Sequence, residues 1–424
     1  MSATPVSHSD ESPEDAPLAS AAEPEIGPLA VVGLEFSLDT APLDALEAVA
    51  RTLTRDEVGR RFARTEGTEE AALLSTCHRV ELVLLLRSPD ALEQWRETLP
   101  GDSQRWTLRE GRGMVHHLFR VASGRESLAI GEAEVAHQVR AAARSIESRH
   151  PRPVLRELFE AAVRAAAEVT VPNENAPSIA AAAAARLTEL VALPRPRVLV
   201  VGSGTVGRQV LTALAPSAEL TVVFHQRPPE EMVLRATEAR AVPLDRLSEE
   251  IASSDAVVTA AKFGNHGLHA VDLPHDRPIV LVDLGMPRNI DPDVRALPNV
   301  RLVDLEELHG PPARDPGGSA VDARIAELAR HFSDHLELLL LEPWVDSFRR
   351  AAEEVRRAEL ENARAFLGGL DPGQEAALER LTQRLVARVL VTPTERIRAL
   401  PTGPEGDLLR RWAVDLLRPR PGGP

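Results

Sequence analysis

The chain has 424 residues, a single one of them cysteine, with 49 Lys plus Arg against 64 Asp plus Glu and a formal net charge of -15. Such a length suffices for two or three domains with cores of their own, and the acidic balance excludes indiscriminate binding to polyanions without excluding a specific nucleic-acid partner met by arginine clusters. No apolar run approaches the roughly 20 residues of a membrane span, the first residues lack a charged-then-apolar signal pattern, and one cysteine builds no disulfide framework; no membrane and a cytoplasmic setting are expected.

Residues 1–25 are rich in Ser, Pro, Ala, Asp and Glu and read as a disordered tail. Residues 29–34 read as a first strand, and strands then alternate with amphipathic helices to about residue 150, the pattern of an α/β or α+β domain. Inside it lies Leu73-Leu74-Ser75-Thr76-Cys77-His78-Arg79-Val80-Glu81, flanked by strand-like stretches at 71–74 and 80–86. A lone cysteine is an inert buried hydrophobe, an intermolecular link or a reactive thiol. Arg79 and a cationic His78 would favour the thiolate, the species that attacks carbonyl carbon. Cys77, His78, His116 and His117 lack a C-x-x-C or H-x-x-x-H pair, and no metal is expected.

Helical spacing runs from Pro153 through an alanine-rich stretch to Leu190, and Pro194 and Pro196 punctuate the next boundary. Residues 197–201 are an apolar strand leading into Gly202-Ser203-Gly204-Thr205-Val206-Gly207, a G-x-G-x-x-G run in the strand-to-helix setting that a dinucleotide site requires. Gly202 makes the tight turn, Gly204 lets the backbone approach a pyrophosphate, and Gly207 allows close helix packing. The second strand, at 220–224, ends in His225-Gln226-Arg227 where an NAD site carries an acidic residue; a cation suits the 2′-phosphate, so NADPH is expected, with Arg227 beside it. The alternation closes near residue 312. Beyond the Pro/Gly-rich stretch 310–318 the chain is helical, with Ile325, Leu328, Phe332, Leu336 and Leu339, then Leu378, Leu381, Leu385 and Val389, at spacings of three and four. A strandless helical region appended to complete α/β domains suggests packing against a second copy, a homodimer.

Several segments together resemble the glutamyl-tRNA reductase family. Ser75-Thr76-Cys77-His78-Arg79-Val80-Glu81 is similar to its Ser-Thr-Cys-Asn-Arg-x-Glu nucleophile segment. The run from His117 through Arg120, Ser123, Ser127 and Glu132 to Gln138 resembles its most distinctive motif. Asp283-Leu284-Gly285-Met286-Pro287-Arg288-Asn289-Ile290-Asp291-Pro292 resembles a stretch late in its nucleotide domain, and 381–398 its closing dimer-domain signature. The resemblance implies an α/β architecture: a catalytic substrate-binding domain at 26–155, the start of a long spine helix or linker at 156–192, a Rossmann-type NADP-binding domain at 193–312 and a helical dimerisation domain at 313–424. It implies NADPH-dependent reduction of glutamyl-tRNA to glutamate-1-semialdehyde through a thioester on Cys77, the first step of tetrapyrrole (porphyrin and heme) synthesis by the C5 route. His117 becomes the second catalytic residue, and Thr76, His78, Arg79, Ser127, Glu132, Ala133, Glu134 and Gln138 the substrate-binding set. Charge suggests that Arg79 forks onto the glutamyl carboxylate and Glu132 holds the α-ammonium. Glutamate-1-semialdehyde aminomutase is the implied partner beyond tRNA, and Arg349, Arg350, Arg356, Arg357 and Arg364 are candidate tRNA contacts, against a reading as helix charges paired with nearby glutamates.

The chain departs from the family pattern in places. Residues 35–42 lack the histidine and basic residue of the family's early segment, His78 replaces Asn, Ala133 and Glu134 replace Pro and Gln, 170–177 shorten an Arg-Thr-Glu-Thr stretch, and Gln226-Arg227 stand in for Asn-Arg-Thr. An active reductase, a paralogue that binds tRNA or a partner without turnover, and an NADP-dependent dehydrogenase of a small molecule all remain open at the level of sequence.

Overall fold

The computed structural model describes residues 29–127, 133–169, 178–261, 267–309, 318–400 and 404–415. The tail expected at 1–25, Glu132, and the shortened stretch 170–177 lie outside them.

The first domain runs β1 (Ala30–Ser37), α1 (Leu43–Thr52), α2 (Arg55–Arg64), β2 (Thr68–Ser75), β3 (Arg79–Leu86), α3 (Pro89–Thr98), β4 (Thr107–Glu110), α4 (Gly111–Ala122), α5 (Ala133–Ala143), β5 (Glu147–Ser148) and α6 (Val154–Val169). Its sheet has the order β4-β1-β3-β2-β5 and is antiparallel throughout. Because side chains alternate along a strand, β3 sends Val80, Leu82, Leu84 and Leu86 to α1–α3 and Val83 and Leu85 to the opposite side, where α4, α5 and α6 pack. Both faces of the central strands are thus covered, which is why 82–86 reads as one apolar run. On the α4 side the alternation turns polar toward one end of the sheet, at Glu35, Arg79 and Glu81, all buried. Gly33 precedes them on β1: a Cβ there would sit 2.1 Å from Met114 Sδ, so glycine lets α4 settle onto the sheet. That close seat brings His117, one turn beyond Met114, over the polar end.

The second domain opens with α7 (Ile179–Leu190), capped by the Ser178 hydroxyl. It continues through β6 (Arg197–Val201), α8 (Thr205–Leu214), β7 (Glu219–Phe224), α9 (Glu231–Thr237), β8 (Arg240–Pro243), α10 (Leu247–Ser253), β9 (Ala256–Thr259), β10 (Ile279–Asp283), β11 (Val300–Val303) and α11 (Leu305–Leu308). The six strands are parallel in the order β11-β10-β9-β6-β7-β8, the doubly wound arrangement whose ligand crevice opens beside the first strand.

The rest is α12 (Gly318–Leu367), α13 (Pro372–Ala399) and α14 (Pro404–Asp415). At 50 residues, α12 spans about 75 Å. Of residues 156–192, expected as the start of a spine helix or linker, α6 packs into the first core and α7 into the second. The longest helix among the described residues is α12. Its stripe of Ile325, Ala329 and Leu336 is buried against α4 and α6, with Phe332 5.9 Å from Phe119. The first apolar stripe of the helical region is therefore covered within the chain rather than by a second copy. Leu381, Leu385 and Val389 on α13 remain more than half exposed. Among the described residues no helix is long and apolar enough to cross a membrane.

Candidate active site

Thr76, Cys77 and His78 form the turn between β2 and β3, closed by a Thr76 N–H bond to the Arg79 carbonyl at 2.9 Å. Cys77 is half-buried, and its Sγ lies 3.3 Å from His78 Nδ1. The imidazole is buried and its Nε2 lies 2.7 Å from the Glu126 carbonyl. Burial first, and the Arg79 charge second, push His78 down to about 4. The expected cationic His78 is therefore corrected: the ring is neutral near pH 7 because it is desolvated beside a guanidinium, and it lends the sulfur no positive charge.

Arg79 is 1 % exposed, with Nη1 3.0 Å from Glu35 Oε1 and Nη2 donating to the Glu126 carbonyl. Glu35 and Glu81 are directly opposite on β1 and β3, an arrangement of like charges that needs cations to hold it. Arg79 and Arg109 supply them, Arg109 reaching Glu35 Oε2 at 2.5 Å, and His117 Nε2 lies 3.2 Å from Glu81 Oε1 and 3.7 Å from Glu35 Oε2. Burial pushes the Glu81 carboxyl up, but His117 and Arg79 outweigh it and hold the group below the usual carboxylate range. Arg79 Nη1, both Glu81 oxygens, His117 Nε2, Ser123 Oγ and Gln138 Oε1 are buried without a directed hydrogen bond. Arg79 Nη1 faces Glu35 and His117 faces Glu81 as ion pairs, and the hydrogen-bonding capacity left over on these charged groups suits a zwitterionic ligand.

The nucleotide loop has the expected form. Gly202 takes φ +120, and a Cβ there would meet the Ala260 carbonyl at 2.7 Å. A Cβ on Gly207 would strike the Gly202 carbonyl at 2.0 Å, whereas one on Gly204, at the start of α8, would meet nothing within 4 Å. Tight backbone at the outer glycines and open space before the middle one leave room at the start of α8 that could hold a phosphate group. The Ser203 hydroxyl bonds the Arg227 carbonyl at 3.0 Å, tying the segment after β7 to this loop with Arg227 exposed beside it.

The loop after β10 joins the two domains. Asp283 accepts bonds from the Thr259 hydroxyl and the backbone N–H groups of Gly285, Asn289 and Ile290, fixing the loop's path. Arg288 on that loop reaches Glu47 of α1 at 2.7 Å and also bonds Asp44. Met286, Leu38 and Cys77 all pack against the core of the nucleotide domain. The thiol thus stands where the two domains meet, with the polar end of the first sheet on one side and the nucleotide domain on the other.

Direct contacts link Thr76, Cys77, His78, Arg79 and His117 through Glu126 and Glu35. Ser127 is buried next to Glu126. Gln138 is half-buried on α5. Glu134 is 3.8 Å from His137 and makes no described contact with the cluster, and Ala133 begins α5. Of the arginines weighed for tRNA, Arg349 lies 3.9 Å from Asp346, Arg356 and Arg357 share Glu353, and Arg364 lies 3.0 Å from Glu375, in line with paired helix charges. Reasoning from sequence missed Glu35, Glu81, Arg109 and Glu126 as site residues. Glu35 and Glu81 carried a signal, a carboxylate at an inward position of an otherwise apolar strand.

Comparison with known proteins matches residues 33–171 to the family model "Glutamyl-tRNAGlu reductase, N-terminal domain", 183–310 to "Shikimate / quinate 5-dehydrogenase" and 320–418 to "Glutamyl-tRNAGlu reductase, dimerisation domain". A glutamyl-tRNA reductase of Kineococcus radiotolerans is 33% identical over 89% of this chain and 90% of its own length. One from Rubrobacter xylanophilus is 30% identical over 88% and 92%. The solved structure of glutamyl-tRNA reductase from Methanopyrus kandleri is 26% identical, with a TM-score of 0.49 over 92% of this chain and 98% of that one.

Proposed function

The chain belongs to the glutamyl-tRNA reductase family, and we propose that it reduces glutamyl-tRNA to glutamate-1-semialdehyde, the first step of tetrapyrrole synthesis, with Cys77 as nucleophile and NADPH as reductant. The observation that carries this reading is the position of Cys77, half-buried and packed against the nucleotide domain, on the turn that leads into the buried charged groups Arg79 and Glu81.

The Cys77 sulfur attacks the ester carbonyl that joins glutamate to the tRNA, forming a thioester and freeing the tRNA. Sulfur donates less resonance to a carbonyl than oxygen does, so the acyl group becomes easier to reduce, and one hard step is divided into two. The glutamyl α-ammonium finds acceptors in Glu81 and in Gln138 Oε1, and the side-chain carboxylate finds a donor in Arg79 Nη1. Arg79 already faces Glu35, so a substrate carboxylate competes with that residue for the fork. His117, held between Glu35 and Glu81, is placed to donate toward the carbonyl oxygen. Glu132 remains the second proposed ammonium ligand on the family resemblance, with Ser127 and Thr76 as polar neighbours.

Gly202, Gly204, Gly207 and Ser203 would hold the pyrophosphate of NADPH, with Thr205 and Val206 opening the helix behind it and Arg227 meeting the 2′-phosphate. Bound there, NADPH would supply hydride chemistry to the thioester carbonyl. The exposed Leu381, Leu385 and Val389, within the region matching a dimerisation domain, support a homodimer. A cytoplasmic setting and hand-over of the aldehyde to the aminomutase rest on the lone cysteine and the family resemblance.

The test is to mix the protein with radiolabelled glutamyl-tRNA in the absence of NADPH and to look for a glutamyl adduct. Wild type is expected to retain label at Cys77 and release it as semialdehyde once NADPH is added, whereas Cys77→Ser does neither. Equal behaviour of the two proteins would end the proposal.

A further inference from the structure

Once Cys77 is taken as the acylated residue, its thiol proton needs a destination. His78 Nδ1 lies 3.3 Å from Sγ. The state of that nitrogen follows from the other one. His78 Nε2 is 2.7 Å from the Glu126 carbonyl, which can only accept, so Nε2 carries the hydrogen and Nδ1 turns a lone pair toward the sulfur. Arg79 Nη2, a donor only, is also 3.2 Å from Nε2, but its much shorter bond goes to the same Glu126 carbonyl, and the 2.7 Å carbonyl contact favours the hydrogen on Nε2 over the longer guanidinium approach. Thr76 Oγ1, 3.4 Å from the His78 N–H, and the Leu38 N–H, 3.0 Å from the His78 carbonyl, steady the backbone that carries the ring.

We propose, resting on the reading of Cys77 given above, that His78 is a catalytic residue of acyl transfer, first taking the thiol proton at Nδ1 and then returning it to the departing ribose oxygen. As the S–C bond forms, the S–H bond breaks and its proton passes to Nδ1. As the ester C–O bond breaks, the same proton goes to the leaving oxygen. The products are the thioester and a tRNA 3′-terminal hydroxyl, with the imidazole back in its starting state and no other reactant consumed. Asparagine, which the family motif carries at this position, cannot take a proton in this way, so the relay belongs to this chain's own departure from the pattern.

The surroundings favour a ring that is neutral at rest. Arg79 on the same strand and the Glu126 turn after α4 face it directly, while Asp39 after β1 and His309 after α11 act on it through charge. With burial as the largest cause holding it down to about 4, Nδ1 keeps its lone pair available to take the thiol proton as attack begins. Once protonated, the ring is a strong acid that gives the proton up readily to a ribose alkoxide.

The experiment measures the single-turnover rate of tRNA release from glutamyl-tRNA without NADPH, from pH 5 to 7, in light and heavy water. Wild type is expected to give a nearly pH-independent rate and a normal solvent isotope effect, because a proton is in flight and the base is already neutral. His78→Asn is expected to be slower by roughly 10²-fold or more at saturating glutamyl-tRNA, and to show a rate that climbs with pH as free thiolate takes over. A wild-type rate that rises tenfold per pH unit, or a His78→Asn protein as fast as wild type with the same isotope effect, would overturn the relay. Should the variant not fold, the pH and isotope profile of wild type decides alone. If wild type forms no adduct at any pH, the failure lies with Cys77 as nucleophile, and the two outcomes are thereby distinguished.

Discussion

Arg288→Ala should separate the two chemical steps. Glu47 is 4 % exposed and is held by Arg288 through both its backbone N–H and its guanidinium at 2.7 Å. Asp44 shares the guanidinium, and Asp304 lies 4.0 Å from Nη1. Removing one partner of a buried ion pair costs about 3–5 kcal/mol because the other charge is stranded. Here the strain has an exit: Glu47 belongs to the first domain and Arg288 to the second, so parting the domains rehydrates the carboxylate. The docked-to-parted ratio should then fall by roughly 10²- to 10³-fold, at 1.4 kcal/mol per decade. Acyl transfer uses residues of the first domain alone, whereas reduction needs the second beside it. Adduct formation without NADPH should proceed at the wild-type rate, while semialdehyde release after NADPH is added should slow by up to about 10²-fold, and Arg288→Lys should recover part of it. Parallel loss of both rates would mean that Arg288 supports the first domain itself. No loss of either would mean that these ion pairs do not hold the domains together.

Other substitutions probe the remaining features. Glu81 has a depressed folded-state pKa, so it contributes stability above its unfolded value and loses it as pH falls through the folded one; Glu81→Gln should flatten the pH dependence of the urea midpoint below about pH 4.5, and an unaltered acid slope would contradict the His117 and Arg79 pairing. Gly33→Val drives a side chain into Met114 and should lower stability by about 1–3 kcal/mol, measured by denaturant titration; an unshifted midpoint would show that α4 does not rest on that residue. Arg227→Ala should raise the Kd for NADPH by roughly 10-fold or more while leaving NADH little changed, since a hydrogen bond to a charged group is worth about 1.5–3 kcal/mol; equal loss for both nucleotides would refute the 2′-phosphate assignment. Leu385→Asp should shift sedimentation toward a monomer, and an unchanged species would remove α13 from the interface.

The nucleotide domain was the most legible part of the chain, because its signal is local: an apolar strand, three glycines and a helix lie within eighteen residues of sequence, 197–214. The strands around Cys77 were legible for the same reason. Arg288 was visible only as a motif without a task, since the carboxylate that explains it lies 241 residues away. His78 was misjudged because charge depends on solvation, and the burial of a turn residue depends on helices that arrive later in the chain. Glu35 and Glu81 could have been found by asking why a strand with both faces covered places carboxylates inward. At 156–192 the alanine-rich spacing promises helix, but spacing alone does not say whether two short helices or one long one will form.

Helix α12 is anchored to the first domain by Arg120 and Arg125, both on Asp322, and by Arg112 on Asp334 and Glu337. Its far half meets α13 and α14 through Leu341, Val345 and Phe348. One stiff rod therefore sets the bearing of the α13 face relative to the thiol. Adding a single residue midway, near Leu339, would swing everything beyond it by about 100° and push it outward by about 1.5 Å, aiming a second copy in a new direction while leaving each chemical group intact. The number of residues between the anchor and the exposed face is in that sense a gauge length, fixed by what must be spanned rather than by what must be packed.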